Sequence, residues 1–237
     1  MTTLPPLPRC CTGLNDHWPL PRALPGVRLL STRFDPALLD AEDFPRWGIP
    51  LPNGVSKRQA EFLAGRLCAR QALQGLTGVP SVPSVAPDRS PCWPAGVVGS
   101  ITHGAGWAGV VVARRNDWLG LGLDIEKRLP TERADRLVGE ILTANELLGY
   151  ADLSAARRAQ RVTLTFSLKE SLFKALYPLV NQRFYFQDAE LLAFDDSGYA
   201  RLRLLTDLSA QWRRGVELEG QFCEFDGYLL SLVSVPL

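Results

Sequence analysis

The sequence predicts an α+β protein in which two halves of comparable size each combine one main helix with several short strands. One long helical pattern lies in each half of the 237-residue chain, and short apolar runs typical of strands lie around both. A hydrophobic content of 46% is sufficient for buried cores in a chain of this length. We place the first half at residues 1–116 and the second at residues 117–237.

In the first half, prolines dominate the opening fifty residues and predict an extended arm that wraps the fold, with one strand over residues 27–34. A helix is expected over residues 56–76, because apolar residues recur there at helical spacing and Gly78 and Pro80 follow. The runs GVVGSIT and WAGVVVA then predict two strands.

In the second half, LGLGLDIE predicts a strand, and a helical region containing ILTANELLGYADL is expected after it. A longer helix follows and ends near Pro178. Four β-like runs close the chain: AELLAF, YARLRLL, VELEGQF and YLLSLVSV. Each half therefore supplies strands for a sheet and one helix to cover it.

Charge and hydropathy exclude several classes of function. The 26 basic and 25 acidic residues give a net charge of +1, which provides no overall field for nucleic acid or an anionic membrane. Apolar runs such as AGVVVA are too short for a membrane span, and MTTLPPLPRC lacks the features of a secretory signal. We expect a cytoplasmic protein with no membrane span and no nucleic-acid partner.

The five cysteines predict reduced structural thiols. Their number is odd, Cys10 and Cys11 are adjacent, and no C-x-x-C spacing occurs. A zinc site and a disulfide framework are both disfavoured by this pattern, and a reducing compartment agrees with it.

Asp124 and Glu126 are the first candidate functional residues. Alternation along a strand places them on one face together with Gly120 and Gly122, while leucines and Ile125 take the other face. Two residues without side chains before two carboxylates suit a strand end where a ligand approaches the backbone and a hard cation binds. The alternative is a solvated strand edge.

The helix TFSLKESLFKALYP carries the second candidate group. It is apolar almost all round except for a polar strip formed by Ser167, Glu170, Ser171 and Lys174. Glu170 and Lys174, four residues apart, are expected either to pair with each other or to line a polar cleft.

A third group of residues could bind phosphate. Thr102, His103 and the backbone of Gly104 form a compact predicted donor set at the end of a strand. Further basic donors lie on the first helix and in a proline-rich loop: Lys57, Arg58, Arg66 and Arg89. Taken singly, the arginines could be solvated and the histidine structural. Together with the acids they indicate a phosphate-containing ligand held with Mg²⁺.

Six motifs in order resemble one family. The segments KRQAEFLAGR, DRSPCWP, GSITHG, GLGLDIE, ILTANE and FSLKESLFK are similar to those of the Sfp-type 4′-phosphopantetheinyl transferases, particularly the bacterial EntD and PcpS branch. F-S-x-K-E-S-x-x-K is the most specific of them. The resemblance covers about residues 57–185, and Thr102 stands where many members carry serine.

The resemblance implies two similar α+β halves in a pseudo-twofold arrangement, with the active site in the cleft between them. The implied reaction transfers the 4′-phosphopantetheine group of coenzyme A to a serine of an apo acyl or peptidyl carrier protein and releases 3′,5′-ADP. The carrier could serve fatty acid, siderophore or polyketide synthesis. A monomer is expected, since two halves already build the cleft.

The resemblance also implies residue roles. Asp124, Glu126 and Glu170 would hold Mg²⁺ against the pyrophosphate, and Lys174 would neutralise charge on the transferring phosphoryl group. The remaining residues would contact coenzyme A phosphates: Lys57, Arg58, Arg66, Arg89, Thr102 and His103. Of the neighbours Lys57 and Arg58, either one fits the contact with the nucleotide. Glu170 is the preferred general base, with a metal-bound hydroxide and the more remote Glu146 as alternatives.

Two other functions use similar residues. A Mg²⁺-dependent phosphohydrolase would need the same acids and basic groups but would accept water. A non-catalytic module that binds carrier proteins would keep the fold and lose the acids, so the joint presence of Asp124, Glu126, Glu170 and Lys174 disfavours it.

Overall fold

A computed structural model describes residues 5–237, and it confirms the predicted α+β class. Met1–Leu4, which belong to the segment examined for a secretory signal, lie outside the described residues. The chain forms two compact units. The first comprises the residues up to Trp18 and Pro25–Arg115; the second comprises Pro19–Leu24 and Asn116–Leu237. The short segment Pro19–Leu24, placed in the first half by the sequence, thus groups with the second unit.

The first unit is a four-stranded antiparallel sheet covered by one long helix. Its elements are β1 (Cys11–Asp16), β2 (Arg28–Phe34), α1 (Asp43–Trp47), α2 (Ser56–Thr77), β3 (Ser84–Val85), β4 (Pro91–Cys92), β5 (Val97–Gly104) and β6 (Trp107–Arg114). The sheet order is β1-β2-β6-β5, and β3 and β4 form a separate small ribbon. The small residues Ala60, Ala64 and Ala69 lie on the buried side of α2, which lets the helix approach the sheet closely.

The second unit is a five-stranded antiparallel sheet with two helices. Its elements are β7 (Trp118–Lys127), α3 (Thr131–Ile141), α4 (Ala155–Val180), β8 (Ala189–Phe194), β9 (Tyr199–Leu204), β10 (Glu217–Phe225) and β11 (Tyr228–Pro236). The sheet order is β7-β11-β10-β9-β8. Helix α4 packs on β7 and β11, and α3 packs on α4. Within residues 5–237, no helix has both the length and the apolar character needed to cross a membrane.

The prediction of a helical region after β7 is only partly confirmed, because the segment ILTANELLGYADL is not helical beyond Ile141. Helix α3 ends at Ile141, and residues 142–153 form turns. Leu147 and Leu148 mimic the apolar spacing of a helix, but they are exposed, and Leu148 is 79% accessible. Gly149 has a φ of +71°, which leaves the helical region of backbone space.

Gly120 and Gly122 of β7 do not have the role that the sequence predicted, which was to make room for a ligand at the strand. The face that carries Gly120 and Gly122 is turned toward α4, so a Cβ at Gly120 would overlap the carbonyl oxygen of Ala175 and one at Gly122 that of Ser171. These glycines therefore let a helix, rather than a ligand, approach the strand.

Gly122→Ala is expected to destabilise the protein by at least ~1–3 kcal/mol, because the added methyl group must displace the backbone of α4. Chemical denaturation measures the change. Gly139→Ala is the control: this helical position has nothing within 4 Å of an added Cβ, so alanine there should stabilise the helix by roughly 1 kcal/mol or less. Equal stability of the two variants would contradict the packing role of Gly122.

Candidate functional site

Asp124 lies at the centre of a polar cluster between β7 and α4. Its carboxylate is almost fully buried, and the residue is 4% exposed. Oδ1 accepts a hydrogen bond from Lys174 Nζ at 2.6 Å, and Oδ2 accepts one from Ser167 Oγ at 2.9 Å. Lys174 also donates to the carbonyl of Leu123 at 3.2 Å. A lysine from the helix therefore neutralises the carboxylate on the strand.

Three of the four residues of the polar strip predicted on α4 contact the sheet: Ser167, Ser171 and Lys174. Ser167 and Ser171 each lie 2.8 Å from Ser231 Oγ on β11, and Ser171 also donates to the Ser231 carbonyl at 3.0 Å. The sequence left two arrangements open, in which Glu170 and Lys174 pair with each other or line a polar cleft. The structure shows Lys174 in an ion pair with Asp124 on β7. Such buried polar groups need partners, and the strip supplies them.

Three carboxylates share this region with one ammonium group. Burial, followed by repulsion from Asp124, raises the pKa of Glu126 to about 7, while Lys174 opposes the rise. Burial also raises the pKa of Glu170, with Asp124 adding to it and Lys174 again opposing. Excess negative charge in a partly desolvated site favours a cation.

The donor set suits a hard divalent cation, because carboxylate oxygens are the ligands that Mg²⁺ prefers. Among residues 5–237, however, no three acidic, histidine or cysteine side chains stand together as a metal-ligand group. Both Asp124 oxygens are hydrogen-bonded to protein groups. Asp124, Glu126 and Glu170 thus fit Mg²⁺ in chemistry and charge, and binding would require Asp124 to exchange a protein partner for the metal.

A pocket of about 190 Å³ lies beside Glu170. Its wall is aromatic, formed by Phe173 on α4 and by Phe184, Tyr185 and Phe186 on the segment that follows the helix. Tyr185 is 71% exposed. Glu170 therefore lines a mostly apolar pocket with an accessible aromatic rim.

A groove of about 580 Å³ crosses the surface of the first unit. Four of the predicted phosphate-binding residues line it: Arg58, Arg66, Arg89 and His103. Arg58 and Arg66 come from α2, where Glu61, Phe62 and Gly65 complete one helical face at spacings of three and four. A tight turn between β3 and β4 presents Arg89, whose φ is +74°.

Arg66 is the most buried charge of this groove, with 6% exposure and its guanidinium 4.8 Å from the centre of the Phe62 ring. Burial lowers its pKa to about 10, so it remains charged at neutral pH. Within the described part of the chain, its Nε has no hydrogen-bond partner. A charged guanidinium that lines this groove is suited to binding an anion.

The sequence predicted the same role for both members of two neighbouring pairs, Lys57 with Arg58 and Thr102 with His103. In the structure, the two members of each pair lie in different places. Lys57 is exposed and does not line the groove, whereas Arg58 does. Thr102 is buried at 3% exposure on the face of β5 opposite His103, so the two do not form the compact donor set that was expected. His103 instead lies 3.8 Å from Glu61 across the groove.

Sequence reasoning assigned no role to Lys169 and treated Glu146 only as a remote base. The two side chains form a buried ion pair at 2.7 Å. A local signal was present in Thr143 and Glu146, which have the T-x-x-E spacing of a capping box and make its two reciprocal backbone hydrogen bonds. With both oxygens engaged, Glu146 is poorly placed to accept a substrate proton.

Two family models match the chain. One, described as 4′-phosphopantetheinyl transferase N-terminal domain, matches residues 50–113. The other, described as 4′-phosphopantetheinyl transferase superfamily, matches residues 120–233. The first match lies in the first unit and the second match in the second unit, and residues before 50 lie outside both.

Several known proteins are similar to this chain. It is 36% identical over 207 residues to 4′-phosphopantetheinyl transferase Svp of Streptomyces mobaraensis, a match that covers 84% of this chain and 83% of that protein. It is 38% identical over 164 residues to enterobactin synthase component D of Escherichia coli, covering 68% of this chain and 75% of the relative. A solved holo-[acyl-carrier-protein] synthase from Thermotoga maritima matches with 25% identity and a TM-score of 0.38, over 50% of this chain and 63% of that one.

Proposed function

The chain belongs to the 4′-phosphopantetheinyl transferase superfamily, and from that premise we propose how its residues carry out the reaction. The enzyme transfers the phosphopantetheine group of coenzyme A to a carrier protein. The observation that carries the assignment of roles is the assembly of Asp124, Glu126, Glu170 and Lys174 in one region of the second unit.

The groove of the first unit would bind the nucleotide end of coenzyme A. Arg58, Arg66, Arg89 and His103 line it, and Arg66 brings a charged guanidinium packed on the Phe62 ring. Charge-assisted hydrogen bonds to phosphate are among the strongest in proteins. Lys57 and Thr102, which lie outside the groove, are the weakest members of the predicted set.

The second unit would act on the pyrophosphate. Asp124, Glu126 and Glu170 would hold Mg²⁺, which when bound supplies charge neutralisation and orientation of phosphate oxygens. Lys174 would neutralise charge that develops on the transferring phosphoryl group. For this it would leave Asp124 Oδ1, or share its ammonium between carboxylate and phosphate.

Glu170 would accept the proton of the carrier serine, because it lines the pocket beside this cluster. The serine oxygen forms a bond to the phosphorus that bears pantetheine, and the bond from that phosphorus to the bridging oxygen breaks. The products are the phosphopantetheinyl serine and 3′,5′-ADP. Phosphoryl transfer of this kind depends mainly on positioning and electrostatic stabilisation.

Incubation with coenzyme A, Mg²⁺ and an apo carrier protein tests the reaction, with intact mass of the carrier as the readout. The expected result is a mass gain equal to one phosphopantetheine group, with release of 3′,5′-ADP and loss of activity in EDTA. Cleavage of coenzyme A without carrier modification would instead identify a phosphohydrolase. Carrier binding without any chemistry would identify a non-catalytic module.

Arg58→Ala is expected to weaken coenzyme A binding roughly ten- to a hundredfold, the loss of one charge-assisted hydrogen bond. Lys57→Ala, its neighbour outside the groove, is the matched control and should bind almost as the parent does. Isothermal titration with coenzyme A measures both. Equal weakening by the two substitutions would show that the basic start of α2 acts as a diffuse charge rather than through a contact in the groove.

A further inference from the structure

The ion pair of Lys169 and Glu146 is the most deeply buried one described in the second unit. Lys169 Nζ lies 2.7 Å from Glu146 Oε2, and the two side chains are 2% and 1% exposed. Taking two charges out of water is costly, so a pair of this kind weakly supports stability by itself. Its contacts indicate what else it does.

Lys169 connects α4 to two separate segments. Its ammonium donates to the carbonyl of Ile141 at the end of α3, at 2.7 Å, and to the carbonyl of Phe186 at 2.8 Å. With Glu146 as third acceptor, all three of its donors are used. The lysine is thus directed into the protein and bonded to backbone on both sides.

Glu146 extends the connection. Its Oε2 also accepts from the backbone N–H of Thr143, and its Oε1 accepts from the N–H of Leu191 in β8, both at 2.6 Å. The pair therefore joins four parts of the chain around α4: the end of α3, the turns that follow it, the aromatic segment formed by Phe184, Tyr185 and Phe186, and β8.

Residues 181–185 lack regular secondary structure, and the Lys169 bond is made where they end, at Phe186, the first residue of a short 3-10 helix. Phe184 packs 5.3 Å from Phe173 and Phe186 packs 5.3 Å from Phe166, measured between ring centres. The Lys169 bond to the Phe186 carbonyl fixes the backbone beneath these rings. The same segment forms the wall of the pocket that Glu170 lines.

We propose that Lys169 and Glu146 are positioning residues for the transfer reaction: their buried ion pair holds the aromatic segment against α4 and so sets the shape of the pocket at Glu170. The inference rests on the proposed function, since it assumes that Glu170 acts on the carrier serine. Lys169 lines this pocket, but its three donors all go to protein acceptors, so it has no donor left for the reacting groups. Small misplacements in such a site cost roughly 10²-fold in rate.

The test compares Lys169→Met, the paired variant Lys169→Met/Glu146→Gln, and Leu218→Ala. The single substitution leaves Glu146 charged and buried without its partner, which should lower the melting temperature strongly. The paired variant removes both charges and should recover much of that stability, but it still lacks the bonds to Ile141 and Phe186. Leu218→Ala truncates a buried side chain of β10 and is a control for destabilisation alone.

Turnover and binding of 3′,5′-ADP are measured below all melting transitions. Both Lys169 variants are expected to lose roughly 10²-fold in turnover, while 3′,5′-ADP binding stays near that of the parent and Leu218→Ala keeps its turnover. Turnover that recovers together with stability in the paired variant would overturn the inference, as would an equal loss in Leu218→Ala. A parent protein without transfer activity would refute the proposed function itself.

Discussion

Asp124→Asn is expected to lower the turnover of carrier modification by roughly 10²- to 10³-fold, because one buried carboxylate would position both the metal and Lys174. Asparagine keeps the shape of the side chain and one acceptor oxygen for the ammonium now 2.6 Å away. The protein should therefore fold while its capacity to hold a divalent cation falls. Steady-state kinetics over a Mg²⁺ titration, with circular dichroism beside it, measures both.

The matched control for this substitution is Glu217→Gln. Glu217 and Glu219 repeat the acid-x-acid spacing on a strand of the same sheet, but Glu217 is exposed and pairs with Arg201 at 3.3 Å. Its neutralisation should leave turnover unchanged. If Asp124→Asn retains full turnover, or if the parent is fully active in EDTA, the metal assignment fails.

Lys174→Met is expected to lower turnover by roughly 10²-fold while changing coenzyme A affinity much less, the pattern of a group that acts in the transition state. The structure adds a second expectation. Because Lys174 neutralises the buried Asp124 rather than forming a surface pair with Glu170, its loss should also lower the melting temperature. Single-turnover kinetics, titration calorimetry and a thermal melt distinguish the two effects.

Lys127→Met controls for the loss of a positive charge. Lys127 is an exposed lysine at the end of the same strand as Asp124 and lies 5.4 Å from the Tyr228 ring centre. Its replacement should alter neither turnover nor affinity. A double-mutant cycle that combines Lys174→Met with Asp124→Asn measures the coupling between these two residues. Their effects on turnover should be strongly non-additive, because the two groups are in contact. Additive losses of turnover, or unchanged turnover in Lys174→Met, would show that Lys174 has no role in the mechanism.

Much of the fold could be predicted because its patterns are local. The predicted helix over residues 56–76 is observed as Ser56–Thr77, and the four closing strands all form. The strand β1 was missed, since most of its side chains are exposed and its pairing with β2 is irregular between Thr12 and Asn15. An edge strand of this kind carries little of the alternation from which strands are predicted.

For the candidate site, the sequence predicted the residue types and the faces on which they lie, but not the contacts that they make. Strand alternation correctly placed Asp124 on the same face as Gly120 and Gly122, and helical spacing correctly grouped Lys174 with Ser167 and Ser171. Neither pattern shows which element that face meets. The glycines were therefore interpreted as space for a ligand, although α4 occupies it.

What the sequence by itself determined is the α+β class and the family. It also supplied the acidic and basic residues that we propose for phosphoryl transfer. Only the tertiary structure decided that Lys174 pairs with Asp124, that Arg58 rather than Lys57 lines the groove, and that Lys169 bonds to Glu146 and to the Phe186 carbonyl. The physical reason is that periodicity specifies the direction of a side chain relative to its own element. Its partner depends on packing between elements distant in sequence, as for Asp124 and Lys174, which lie fifty residues apart.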